Sequence, residues 1–231
     1  KGKAEVFTPS WVCNAQNNLV DNAWFDSENI FNKETEKGWE TTTKKIKFPD
    51  KKDRTWQKYV DERRLEITCG EAPYLVSRYD AVSGEPLELK DRIGMLDRKM
   101  RVVAETTESE EEWLKWSERA FQSVYGFEFQ GDSLLIAREN LLASYCDYME
   151  DKLHRQPTEK ELINIGKIVS WNLWQMDGLS YTIPYEEAVD PREQMTLFDL
   201  QEKDKKSLCI IKDWRAKRIY TFQDLVNKGG N

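Results

Sequence analysis

Residues 64 to 75, Arg64-Leu65-Glu66-Ile67-Thr68-Cys69-Gly70-Glu71-Ala72-Pro73-Tyr74-Leu75, constrain the fold more than any other stretch. They read as a short buried strand, a tight turn of small residues and the start of a helix. In α/β folds that arrangement presents backbone N–H groups to a nucleotide-like ligand. Thr68, Cys69, Gly70 and Ala72 leave the backbone open to close approach. The turn lacks the glycine spacing of dinucleotide folds, and many strand-to-helix turns use small residues only for packing, so its meaning depends on its surroundings.

Downstream, helical and strand patterns alternate. Ile93, Leu96, Met100 and Val103 recur at helical spacing, with Asp91, Arg92, Asp97, Arg98, Lys99 and Arg101 expected on a solvated face. Ser109-Glu110-Glu111-Glu112 predicts a capping box opening a helix with Trp113, Trp116, Ala120 and Phe121 on one side. Ser123 to Phe129 reads as a second strand. Gly131-Asp132-Ser133 then opens a helix carrying Leu134, Ala137, Leu141 and Tyr145, and Thr158 with Glu161 caps another carrying Leu162, Ile165 and Ile168. Trp171 to Leu179 reads as a third strand. The alternation predicts a parallel sheet with crossover helices.

The flanks are less regular. Thr8 is a plausible cap before Pro9, ahead of a helix whose apolar face is Val12, Ala15, Leu19 and Ala23, with Val20 and Trp24 beside it and Asn14, Asn17 and Asn18 facing solvent. Residues 32 to 55 read as an irregular polar segment. Lys44, Lys45, Lys47, Lys51, Lys52 and Arg54 form its basic patch, which could touch phosphates, although Asp50 and Asp53 dilute it and a solvated loop is the plainer reading. Asp53 is placed to cap a helix with Trp56, Tyr59 and Val60. Residues 185 to 206 read as a loop or excursion, and Cys209 to Phe222 as a β-hairpin.

Composition narrows the class. The 231 residues are ample for a real core, and 39% hydrophobic content with nine Trp excludes a disordered chain. A net charge of -7 disfavours nucleic-acid binding unless the basic residues gather on one face. The four Cys, at 13, 69, 146 and 209, are too scattered for a zinc or redox motif and suit reduced thiols of a cytoplasmic protein. No apolar run is long enough for a membrane span, and no signal peptide is present. A start without Met and an end at Lys228-Gly229-Gly230-Asn231 suggest a piece of a longer protein.

Three predicted strand ends carry chemistry: the turn after Glu66, then Glu128, then Asp177. Ligands of open α/β sheets bind at the C-terminal ends of strands. A carboxylate after the second strand can accept from both hydroxyls of a ribose, and a third acid can accept from an exocyclic amine.

These residues resemble the S-adenosylmethionine-dependent DNA adenine-N6 methyltransferases of restriction–modification systems, above all the type IIG-like branch and its subunit M relatives. Phe7-Thr8-Pro9 with the helix after it, Leu65 to Leu75, Tyr125-Gly126-Phe127-Glu128 with Leu135-Ile136-Ala137-Arg138, and Asp177-Gly178-Leu179 are similar to that family's motifs and occur in its order. Ile67 stands where Pro is usual. The resemblance covers nearly all of the chain. It implies an α/β, Rossmann-like methyltransferase fold, a mostly parallel sheet with helices on both faces, divided as 1–62, an N-terminal helical segment; 63–184, the cofactor-binding core; and 185–231, a loop plus hairpin leading to a missing catalytic part. It implies S-adenosyl-L-methionine as cofactor, with Phe7, Thr8 and Pro9 at the methionine end. Glu66, Thr68, Cys69, Gly70 and Ala72 would hold the amino-acid part, Glu128 the ribose, Asp177 and Leu179 the adenine edge, and Phe129 the adenine face. No catalytic and no metal-binding residues are implied within the chain.

One departure limits that expectation. The family's Asn-Pro-Pro-Tyr motif, which holds the flipped adenine, is absent, and no Pro-Pro pair occurs anywhere. The resemblance therefore implies the cofactor-binding portion of the enzyme, inactive alone, with double-stranded DNA contacted through the missing part and a restriction or specificity subunit as a further partner. The alternatives are a non-catalytic methyltransferase-like scaffold, or a Mg²⁺-dependent nuclease built on Asp80, Glu88 and Lys90.

Overall fold

The computed structural model describes residues 7–184 and 207–229. The sequence places α1 at Ser10–Phe25, a hairpin of β1 (Asn32–Thr35) and β2 (Gly38–Thr41), and α2 at Trp56–Asp61. Next come β3 (Arg64–Ile67), α3 (Met95–Thr106), α4 (Glu110–Gln122), β4 (Val124–Glu128), α5 (Gly131–Leu153), α6 (Glu159–Asn172) and β5 (Leu173–Gln175). The C-terminal hairpin is β6 (Ile210–Asp213) with β7 (Arg218–Thr221), followed by α7 (Phe222–Gly229).

The centre is a three-stranded parallel sheet in the order β3-β4-β5. Two helices fill each crossover, as the alternating pattern predicts. The mixed α/β class and the parallel sheet are thus as read from sequence, and the architecture is Rossmann-like in general terms. No helix among the described residues is long and apolar enough to cross a membrane.

The two faces of the sheet are covered differently. Val124 and Leu173 belong to a large core with Leu96, Met100, Val103, Trp113, Phe121, Leu141, Ile165 and Ile168 from α3 to α6. That core also takes Trp24, Phe25, Phe31 and Tyr59, so the N-terminal segment shares it. On the other face Tyr125, Phe127 and Trp174 pack with Ile211 and Phe222 of the C-terminal hairpin and α7, so the expected helices on both faces reduce to crossover helices on one face and a hairpin with one short helix on the other. Capping is legible at both predicted boxes. Ser109 accepts the Glu112 N–H, and Thr158 with Glu161 forms a full reciprocal box.

Several expectations are corrected. α1 is capped by Pro9 without a side-chain bond, not by Thr8, and α2 by Thr55 rather than Asp53. Residues 32–41 form the β1-β2 hairpin rather than an irregular segment. The third strand shrinks to Leu173–Gln175 because α6 runs on to Asn172. Phe222 opens a helix instead of ending the hairpin. No helix follows the 68–75 turn; the chain passes through turns and a bridge between Tyr79 and Pro86 before α3 begins. The expected loop at 185–206 lies outside the described residues.

Two faces are inverted. Asn14, Asn17, Asn18 and Asp21 are buried on α1, whereas Leu19 is 69% exposed. The cause is Arg98, itself buried: its guanidinium donates to Asp21 at 2.6 Å and to Asn14 and Asn18 at 2.8 Å each. A buried cation demands acceptors, and the polar stripe of α1 supplies them. Asp97 and Lys99 are buried with Arg98, so the face of α3 expected in water is an internal polar network. Lys99 donates to Ser123 Oγ and to the Glu62 carbonyl, and burial pushes its pKa well below the usual lysine value.

Candidate functional site at the ends of β3 and β4

β3 is an edge strand, and its alternation is the reverse of a buried strand. Leu65 and Ile67 are 41% and 64% exposed, whereas Glu66 is buried. Side chains alternate between faces along a strand, so Leu65 and Ile67 share a face with Tyr125 and Phe127, their register partners. The hairpin and α7 cover that face over β4 but leave the two β3 residues open. Arg64 N–H donates to Ser123 O, which turns the Arg64 and Glu66 amides toward β4 and those of Leu65 and Ile67 outward. No strand pairs with this outer edge among the described residues.

Beyond β3 the backbone enters the left-handed region three times, at Thr68 (φ 48), Gly70 (φ 53) and Ala72 (φ 64). For Thr68, β-branched, that conformation is uncommon, and such strain gathers at ligand clamps and switches. The turn is held from outside. Cys69 N–H donates to Phe127 O at 2.8 Å, and Gly70 N–H donates to Glu128 Oε2 at 2.8 Å. Gly126 permits the approach, since a Cβ there would stand 3.2 Å from Cys69 Sγ. Cys69 is buried, and burial pushes its thiol pKa up.

The two carboxylates differ in role. Glu128 Oε1 accepts from the N–H groups of Phe129 (2.8 Å) and Gln130 (3.0 Å) while Oε2 takes Gly70. Glu66 accepts from Leu75 N–H at 3.1 Å and Tyr74 N–H at 3.4 Å and meets no cation. Burial raises its pKa well above the usual range, the two N–H bonds pull the other way, and the Glu128 charge adds to the rise.

A cavity of about 710 Å³ opens at these strand ends and extends back along β3, where Arg63, Arg64, Leu65 and Ile67 also line it. It gathers the predicted residues Phe7, Thr8, Glu66, Thr68, Cys69, Gly70 and Glu128 from three separate segments. Pro9, Ala72, Phe129, Asp177 and Leu179 do not line it. Ala72 is fully buried behind the turn, and Asp177 accepts from Leu179 N–H at 2.9 Å in a local turn that leaves Leu179 96% exposed. The sequence reading missed Gln16, Asn17, Tyr74, Gln130 and Ser133 on the cavity wall. For Asn17 a signal existed, because Asn14, Asn17, Asn18 and Asp21 recur at helical spacing as regularly as the apolar set.

The residues proposed for a nuclease do not assemble. Asp80 accepts from the Ser10, Val82 and Ser83 N–H groups, and Glu88 and Lys90 form an exposed pair at 2.9 Å. No cluster of three metal-ligating side chains occurs among the described residues. No protein-family model, no curated protein and no solved structure matches the chain.

Proposed function

We propose that this chain is the S-adenosylmethionine-binding portion of a DNA adenine-N6 methyltransferase of a restriction–modification system. The observation that carries the reading is the convergence of Phe7, Thr8, Glu66, the 68–70 turn and Glu128 on one cavity at the C-terminal ends of adjacent parallel strands. Its volume lies within the range of small-molecule sites. The donor set suits the cofactor. Glu66 is a buried carboxyl with no ion pair among the described residues, fit for a ligand with a free amino group, and in this reading Glu128, on the same cavity wall, would accept from the ribose hydroxyls. When bound, the cofactor supplies an activated methyl group. The chain's own part is to hold and orient the cofactor and shield its amino-acid end.

In this reading the Asn-Pro-Pro-Tyr strand lies outside the 231 residues, and the open outer edge of β3 is where it would pair. Methylation would then require that strand together with the DNA-reading part of the enzyme. Isothermal titration of the chain with S-adenosylmethionine and with S-adenosylhomocysteine tests the reading. Saturable binding of either ligand, weakened in Glu66→Ala, is expected; heat of dilution alone for both would overturn it.

A further inference from the structure

Residues 44–58 carry seven cations, Lys44, Lys45, Lys47, Lys51, Lys52, Arg54 and Lys58, against Asp50 and Asp53, in a chain of net charge -7. The structure shows that this is no loosely solvated loop. Ile46 is buried, and its N–H donates to Glu105 Oε2 at 2.7 Å. Phe48 packs against Phe25 with ring centroids 5.3 Å apart. Arg101 donates to the carbonyls of Thr42 and Lys44. With Ile46 and Phe48 turned inward, Lys45 and Lys47 project outward, about 7 Å apart at extended-chain spacing.

Lys44, Lys45, Lys47, Lys52 and Lys58 are exposed, and none of them forms an ion pair with another described residue. Lys51 pairs with Asp26, and Arg54 lies over the Trp24 ring. Of the carboxylates around the segment, Glu105 pairs with Arg101 and Asp61 with Arg119 and Arg215, which leaves Asp50 and Asp53 within it against seven cations. Beside the patch, Lys58, Lys115 and Trp116 line a groove of about 630 Å³ between α2 and α4, which Asp61 and Glu118 also border. A fixed row of uncompensated cations on an acidic protein is the electrostatic footprint of a phosphate backbone.

We infer that the 44–58 segment binds the phosphate backbone of duplex DNA without reading sequence. The choice of polyanion rests on the methyltransferase reading, but the surface is separate from the cofactor cavity, which no residue of 44–58 lines. The cavity runs beside α1, lined by Phe7 and Thr8 before it and by Gln16, Asn17 and Val20 along it, and the patch adjoins Asp26 just past its C-terminal end. The 16-residue helix is about 24 Å long. A duplex lying along its whole length would cover about seven base pairs at about 3.4 Å each.

The test is fluorescence anisotropy with a labelled duplex of about 20 base pairs over a salt series. The 231-residue chain is compared with its K44E/K45E/K47E/K52E variant, and S-adenosylhomocysteine titration is run on both. The expected result is binding by the parent chain, at least tenfold weaker binding by the variant near 100 mM salt, a log–log salt slope reduced by about 3 to 4, and unchanged cofactor affinity. Equal duplex affinity and slope in the two chains overturns the inference, as does tighter binding of single-stranded DNA or of phosphatidylserine vesicles. Cofactor binding without duplex binding by the parent chain sinks the patch alone; duplex binding lost in the variant, without cofactor binding by either chain, sinks the methyltransferase reading alone.

Discussion

The Gly70 amide donates to the Glu128 carboxylate over 2.8 Å, tying the left-handed turn after β3 to the end of β4. Glu128 thereby shapes one wall of the cavity before any ligand arrives. Because the same carboxylate takes three backbone N–H groups, removing it disturbs both the turn and the site.

Glu128→Ala is expected to lower stability by about 1.5–3 kcal/mol, the range for hydrogen bonds to a charged group, and to weaken S-adenosylmethionine binding. Glu128→Gln keeps an acceptor for some of these amides and should lose less stability. Urea unfolding midpoints check the first effect and titration the second. An unchanged midpoint in the Ala variant would show that the latch contributes nothing.

Glu66 sets a pH dependence. Its folded-state pKa is raised well above the ordinary value of 4.5, chiefly by burial. Its contribution to stability is therefore full below that ordinary value and fades as pH rises through the raised one. Glu66→Gln, which cannot ionise and still offers an acceptor to Leu75, should match wild type near pH 4 and melt higher near pH 8. It should also bind the cofactor more weakly, a trade of function for stability. Thermal melts that stay parallel across this range would contradict the assignment.

Glu161 gives the opposite slope. The Arg155 guanidinium holds its carboxyl down at about 2, against an ordinary 4.5. That stabilisation is complete above pH 4.5 and is lost as pH falls toward 2. Glu161→Gln should therefore lower the melting temperature at neutral pH and flatten its fall on acidification. Differential scanning calorimetry between about pH 2 and 6 reads the difference.

Arg98 and Asp21 form a buried pair at 2.6 Å, with side chains 1% and 6% exposed. Asp21→Leu alone leaves the guanidinium short of a counter-charge and should cost about 3–5 kcal/mol. Replacing both partners, Asp21→Leu with Arg98→Met, should cost clearly less than the two single changes added together. Additive losses in the double-mutant cycle would show the residues to be uncoupled.

Gly94 stands where a Cβ would meet Leu75 O at 2.3 Å. Gly94→Ala must move the backbone that carries Tyr74 and Leu75, the residues whose amides hold Glu66. It should cost about 1–3 kcal/mol and weaken cofactor binding together. Unfolding curves and titration on the same sample check both.

Much of this was legible in sequence, and the reason lies in range. The Thr158–Glu161 box, the apolar spacing Leu134, Ala137, Leu141 and Tyr145, and the small-residue turn before Leu75 all express interactions within a few residues. The order of helices and strands from α3 to β5, the parallel sense of the central sheet and the acid that ends β4 follow from such local signals.

Facing was settled elsewhere. Whether α1 buries its leucine or its asparagines depends on Arg98, some eighty residues away, because a guanidinium drawn into the core must bring acceptors with it. Whether Leu65 and Ile67 are core residues depends on what covers their face of the sheet, and the hairpin and α7 cover it over β4 but not over β3. Periodicity fixed that α1 and β3 each have two unlike faces; only the long-range burial of charge and the packing of distant elements decided which face lies inside.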